Sequence, residues 1–225
     1  MTTRLPDYLT TKRLLLPALL LALLSLGRGS GWRVYAHDGA GGFTGLEINP
    51  RMFREVRSLE PAPCPTLDLP ESWDVRRALE ADLTGDGVSE CVLLVWRPWE
   101  DWPIMRWSET ESPIAGNRDA GGDSAHVILV EPRTGGGYRE LWAGSALAIP
   151  ITDLQCGDVD GDGLEELVVL EGDYGTGRAG PARHVAVWHW NGFGFTLDWR
   201  SPPTRLTELA LVESDGDGVW EVGVR

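Results

Sequence analysis

Residues 157–170 read GDVDGDGLEELVVL. Asp158, Asp160 and Asp162 alternate with other residues, two of them glycine, and the segment then runs directly into apolar positions. Like charges at this spacing repel, and nearby burial makes their ionisation harder still. Either a cation neutralises them or the loop stays fully hydrated.

The pattern recurs. DLTGDGVSE stands at 82–90, DVDGDGLEE at 158–166 and ESDGDGVWE at 213–221. Positions one, three and five of these loops carry oxygen side chains: Asp82, Thr84 and Asp86; Asp158, Asp160 and Asp162; Glu213, Asp215 and Asp217. Glycine fills positions four and six, and Glu90, Glu166 or Glu221 closes position nine. Strand-like apolar residues follow or interleave: CVLLVW, LVVL and VWEVGV. Internal similarity at this spacing points to a stacked or radial architecture.

Alternate side chains converge on one point when glycines let the backbone turn sharply. Hard, mostly anionic oxygens at positions one, three, five and nine, with the main-chain carbonyl of Val88, Leu164 or Val219 at position seven, suit Ca²⁺. Mg²⁺ suits the set less, because it keeps its waters and demands a stricter octahedron. The competing reading is an Asp/Gly-rich surface turn, since these residues also favour turns for local reasons. Three copies with matching ligand positions favour calcium. An EF-hand is excluded: it needs glutamate at position 12 and flanking helices, whereas position 12 is Leu93, Val169 or Val224. The flanks read as strands, with Leu167–Leu170 a short continuous apolar run of the kind buried on both faces.

The D-x-D-G-D-G-x-x-[DE] loop feeding a strand resembles the FG-GAP and VCBS-type repeats of integrin-α propellers and many secreted bacterial proteins. The likeness is best at 158–170, good at 82–96 and partial at 213–225; Thr84 in the first loop and Glu213 in the third depart from the preferred Asp. It implies blades of four antiparallel strands, with a calcium loop joining the first strand to the second. The expected fold is therefore all-β, a propeller-like array of about two and a half to three such blades, near 77–146, 147–203 and 204–225.

The residues support blades independently. HVAVWHW at 184–190 meets Asn191-Gly192, a strong hairpin signal. FGFTLDWR follows, with Phe193, Phe195, Leu197 and Trp199 expected on one face. The first blade repeats the plan with RALEAD, CVLLVW, AHVILVE and YRELWAG, whereas the third copy has two strands before Arg225. A closed propeller typically has 4–8 blades. Three solutions remain open: GFTGLEI at 42–48 supplies a closing strand, the array stays open, or two copies associate to protect the edges.

Residues 1–36 read as a secretory signal, with Arg4, Lys12 and Arg13 ahead of LLLPALLLALLSL and a cleavage expected before His37. The rival is an uncleaved N-terminal anchor on the cell surface. With five basic residues and one acid, its removal takes the net charge from −14 to −18. Such a surface disfavours nucleic acid and anionic lipid, and stable membrane insertion is not expected after cleavage. Cys64, Cys91 and Cys156 fit no zinc pattern, and an exported chain permits one disulfide of unspecified pairing. Residues 37–76 hold five prolines and read as an extended segment, with a short helix around 51–59 conceivable.

Two insertions stand between the second and third strands of the blades. Residues 97–124 carry Trp99, Trp102 and Trp107 beside Arg97 and Arg106, a set able to stack on sugars, anchor a partner, or pack over a blade edge. EGDYGTGRAGPAR at 171–183 is Gly-rich, with Tyr174 its one plausible contact. Gly122-Asp123-Ser124 precedes a strand where a serine hydrolase needs a helix, and His126 and His184 open equivalent strands. No catalysis is expected. The reading is a secreted, calcium-stabilised binding or adhesion module for an unidentified protein or glycan, holding up to three structural Ca²⁺. The alternatives are a polysaccharide-active enzyme, or its sugar-binding part, working through 97–124, and a self-assembling surface protein.

Overall fold

The computed structural model describes residues 32–48, 57–60, 62–135, 137–214 and 216–225. Its strands are β1 (Trp32–His37), β2 (Phe43–Ile48), β3 (Arg57–Ser58), β4 (Asp74–Ala81), β5 (Glu90–Pro98), β6 (Asp123–Pro132) and β7 (Tyr138–Ala143). Then follow β8 (Ile151–Gly157), β9 (Glu166–Glu171), β10 (His184–Trp190), β11 (Phe195–Arg200), β12 (Leu209–Glu213) and β13 (Glu221–Val224). All pairings are antiparallel. The first sheet runs β4-β5-β6-β7, the second β8-β9-β10-β11, and the third β2-β1-β13-β12-β3. The all-β expectation holds; among the described residues helix is limited to two short 3-10 turns, Pro103–Trp107 and Tyr174–Thr176.

Period-two geometry explains why the central strands are continuously apolar. In β9, Leu167 and Val169 join Val92, Leu94 and Leu129 between the first and second sheets. Val168 and Leu170 point the other way, onto Leu211, Val222 and Val224 of the third. With both faces buried, every position must be apolar.

No closed barrel or propeller is detected among the described residues. The far face of the first sheet, bearing Leu93, Val95, Ile128 and Val130, is covered by Leu67, Leu69 and Trp73. That strap belongs to the segment expected to be a plain extended connection. It also bonds both neighbours: β3 pairs with β12, Leu59 N–H donates to Leu211 O at 2.9 Å, and Glu80 N–H donates to Ala62 O at 2.8 Å. A disulfide between Cys64 and Cys91 fixes the strap to the start of β5, and Cys156 is free and buried. Of the conceivable helix at 51–59, residues 51–56 lie outside the described ones and 57–58 form β3.

The third sheet is completed from the N-terminal side. The expected closing strand at 42–48 is β2, but β1 lies between it and β13, with Arg33 opposite Val224 and Tyr35 opposite Val222. The expected cleavage point before His37 thus falls inside a paired strand, and most of the apolar leader lies outside the described residues. In sequence, WRVYAH merges with the leader because Val34, Tyr35 and Ala36 resemble a processing site.

The single apolar face expected for 193–199 is also divided. Val187 pairs with Trp199 but Trp188 pairs with Leu197, leaving Asp198 as a bulge residue. The extra residue sends Phe195 towards the first sheet and Trp199 towards the third. β7 bulges at the matching place, Leu129 pairing with Trp142 and Val130 with Glu140.

Candidate metal centre

All three acidic loops join adjacent antiparallel strands, β4 to β5, β8 to β9 and β12 to β13, and use one hydrogen-bond scheme. The position-two amides of Leu83, Val159 and Ser214 donate to Oε2 of Glu90, Glu166 and Glu221, at 3.1, 2.9 and 3.1 Å. The position-one acids accept from the turn: Gly87 N–H to Asp82 at 2.8 Å, Gly163 N–H to Asp158 at 3.0 Å, Gly218 N–H to Glu213 at 3.2 Å. Position-five carboxylates accept from the amides of Val88, Leu164 and Val219 at 2.8, 2.8 and 2.9 Å. Glycine is required at positions four and six, where φ lies between +70° and +90° in every copy.

Among the described residues, two of the loops bring carboxylates together. One oxygen each of Asp82, Asp86 and Glu90 lies within 4.8 Å of the others, as does one each of Asp158, Asp160 and Glu166. These clusters could hold a metal ion. Asp162 stays outside that set, and the Thr84 hydroxyl donates to Glu90 Oε1 at 2.6 Å. In the third loop Asp215 lies outside the described residues, and the Ser214 hydroxyl donates to Glu221 at 2.6 Å.

The second cluster is electrostatically poised for a cation. Burial, reinforced by Asp160, Asp162 and Asp158, pushes Glu166 up to about 8 against the Val159 amide. Glu90 is raised too, chiefly by burial, with the Thr84 hydroxyl and the Leu83 and Thr84 amides opposing. A divalent ion restores the charged form of both, so the donor chemistry fits a hard cation.

The loops also bind one another, a feature the sequence did not announce. Asp82 N–H donates to the Glu165 carboxylate at 2.6 Å, and Trp220 N–H donates to Asp158 O at 2.9 Å. A Cβ at Gly85 would sit 3.0 Å from Leu164, and one at Gly161 would sit 3.2 Å from Val219. Position seven of each later loop therefore packs on position four of the one before. That leaves Leu164 half-exposed for a structural reason.

The insertions meet each other as well. Tyr174 donates its hydroxyl proton to Leu147 O at 2.7 Å, accepts from Ala125 N–H at 3.2 Å, and stands edge-on to Trp96. Arg178 lies over Trp96 and pairs with Asp74 at 2.7 Å and Asp123 at 2.5 Å. The 171–183 insertion is thereby tied to the first sheet. Trp99 donates to Ile114 O at 2.9 Å with Arg118 over its ring, and Trp102 donates to Ser145 Oγ at 3.0 Å. Trp107 is 78% exposed, beside exposed Ile104. Of the expected ligand contacts, Trp99, Trp102 and Tyr174 spend their polar atoms internally, while Trp107 faces solvent. Both histidines near the strand starts bond the residue that follows the next strand, His126 to Gly144 O and His184 to Ser201 O.

No family model matches this chain, and neither the curated proteins nor the solved structures compared with it contain a match.

Proposed function

We propose that this protein is a calcium-stabilised binding module, acting outside the cytoplasm through a protein or glycan ligand. The observation that carries it is the convergence of Asp158, Asp160 and Glu166 on one point, with Glu166 pushed up by burial and by the neighbouring aspartates. The ion is structural in this reading: it offsets carboxylate repulsion and joins β8 to β9 and, in the first loop, β4 to β5. The disulfide supports an oxidising compartment. Among the described residues no helix is long and apolar enough to cross a membrane.

Extracellular modules bind calcium at ~10⁻⁴–10⁻³ M. At free calcium about ten times that Kd, each filled site adds roughly 1.4 kcal/mol. Thermal unfolding of the full chain in calcium, magnesium and EDTA tests this. An upward shift confined to calcium is expected, and identical curves in the three buffers would overturn the calcium reading.

A further inference from the structure

Trp102, Ile104 and Trp107 form an apolar knob at one end of a strongly acidic protein. The segment 99–122 leaves β5 and returns as β6, so it sits at the opposite end of the first sheet from the acidic loop that precedes β5. Ile104 is 65% exposed and Trp107, one 3-10 turn further on, is 78% exposed. Side chains three apart eclipse on such a turn, so both project from one face of Pro103–Trp107.

This exposure is built in. The Trp102 indole N–H is spent on Ser145 Oγ at 3.0 Å, and the Trp102 carbonyl accepts from Met105 N–H at 2.9 Å. Asp101 closes the base of the knob, accepting from Trp102 N–H at 2.8 Å and from the Ser112 hydroxyl at 2.5 Å. Trp99, with Arg118 over its ring, fixes the returning chain by donating to Ile114 O. A segment held in this way cannot fold its apolar side chains inward. Large apolar groups displayed together on a rigid support mark a contact surface.

The rest of this end shows what the knob faces. Arg178 of the 171–183 insertion pairs with Asp123 and Asp119 at the return of the first insertion. Ala182 bridges to Leu206, the Thr207 hydroxyl donates to Arg225 O at 3.1 Å, and the Arg225 guanidinium lies over Trp32 at 5.6 Å. The knob, both insertions and the start of β1 therefore share one end, while the three acidic loops gather at the other. In sequence, the apolar run at 14–26 is joined to Trp32 by 27–31, a link of about 20 Å at full extension. The apolar leader thus enters the fold on the side where the knob projects.

Size and charge select the occupant. A stable protein interface takes ~20–30 residues a side, whereas the knob is confined to 102–107. The net charge of −14 and exposed Glu100, Asp101, Glu109 and Glu111 around the knob repel anionic lipid. Headgroups that carry both signs suit it: their ammonium groups meet these carboxylates and the tryptophan faces, and their phosphates meet exposed Arg106. We propose that this end of the molecule docks on a zwitterionic membrane surface, with Ile104 and Trp107 in the headgroup–acyl boundary and Trp102 at the rim. Tryptophan is enriched at that depth, and docking there needs no spanning helix. The inference goes beyond the binding-module reading and depends on neither calcium nor a soluble ligand.

The test puts an environment-sensitive fluorophore on the full chain in two variants, Ile104→Cys at the knob and Val88→Cys on the acidic end; Cys156 is buried and is not labelled in the folded protein. The probe is phosphatidylcholine vesicles, plain or brominated on the acyl chains. An interfacial group sits ~5–10 Å deep, so brominated lipid should quench the label at 104 at least about threefold more than the label at 88, with a blue shift at 104 alone. Trp107→Ser in the chain labelled at 104 should reduce that quenching at least about twofold. Because the leader is itself apolar, the readout is which end meets lipid and not whether the chain sediments with vesicles. If Ile104→Cys melts early, a label on Trp107→Cys carries the test. Failure of the full chain to bind these vesicles, a label at 104 that stays in water on the vesicle-bound chain, or equal quenching at 88 and 104 would overturn the proposal. Calcium stabilisation is read from melting curves without lipid, so either idea can fail alone.

Discussion

The main-chain amide of Asp82 donates to the carboxylate of Glu165 across 2.6 Å, so the first residue of one acidic loop is held by the eighth residue of the next. Trp220 repeats the register against Asp158 through its own amide. Order imposed on one loop therefore reaches its neighbour. Glu165→Ala is expected to cost about 1.5–3 kcal/mol, the usual worth of a hydrogen bond to a charged group. Glu165→Gln keeps an acceptor and should recover part of it. Urea unfolding of both variants decides the matter; an alanine variant as stable as the parent would show that the contact carries no energy.

Calcium linkage makes a conditional prediction about Asp160. With calcium at about ten times Kd, Asp160→Ala should remove roughly 1.4 kcal/mol, or about 3–6 °C in Tm for a chain of this size. In EDTA the same variant should melt near the parent, or above it, since deleting one of three crowded carboxylates relieves Glu166. Equal losses in both buffers would mean that Asp160 acts only within the turn, as acceptor from Asp162 N–H.

How much of this was legible follows from how local each signal is. The loops could be read because their glycines, carboxylates and closing glutamates sit within nine residues, and the buried β9 because its apolar run is continuous. The Asn191-Gly192 hairpin is likewise local, and Asn191 N–H bonds Gly194 O at 2.9 Å. The bulges opposite Val130 and Val187 were hidden, since alternation in sequence says nothing of a residue left out of the pairing. The strap at 57–75 has neither period, its backbone being fixed by β12 and β4 from far along the chain. The packing of Tyr35 on Trp199 was invisible for the same reason: the two rings meet only when the first described strand joins the last sheet.

That joining strand makes the position of any processing testable. A chain starting at His37 lacks Arg33, Val34 and Tyr35 of β1, which exposes β13 as an edge and removes the ring that packs on Trp199. It should be far less stable than a chain starting at Trp32, with a lower Tm and concentration-dependent aggregation. If the chain is processed in its native host, mass spectrometry should then place the mature N-terminus at or before Trp32. A stable, monomeric chain from His37 would contradict the role given to β1.

The strap depends on its covalent anchor. Cys64 and Cys91 are 27 residues apart, a loop whose closure is worth about 3.5 kcal/mol by chain entropy. The double variant Cys64→Ala, Cys91→Ala should lose on that order of stability, and hydrogen exchange should rise first at Ala62–Val75 and along β5. Reduction of the parent should reproduce the loss, while Cys156, free and buried between the first and second sheets, stays unreactive until unfolding. Unchanged stability on reduction would show that the apolar contacts of Leu67, Leu69 and Trp73 hold the strap alone.

Acid sensitivity provides the last prediction, and His126 is its source. The side chain is buried, its Nδ1–H donates to Gly144 O at 2.9 Å, and its Nε2 accepts from the Ser124 hydroxyl at 2.8 Å. Both bonds suit the neutral ring. Burial, aided by Arg97 and opposed by the Gly144 bond, pushes its pKa down to about 4, against about 6.5 in the unfolded chain. Between those values the unfolded state binds a proton that the folded state refuses, so this contribution is complete above pH 6.5 and is lost as pH falls towards 4. The full loss is on the order of 3 kcal/mol. Urea unfolding at pH 7 and pH 4.5 should show the parent losing about 2–3 kcal/mol more than His126→Gln, whose amide does not titrate. Carboxylates of the loops contribute equally to both proteins and cancel in the difference. Parallel losses in parent and variant would mean that the folded protein accommodates the imidazolium.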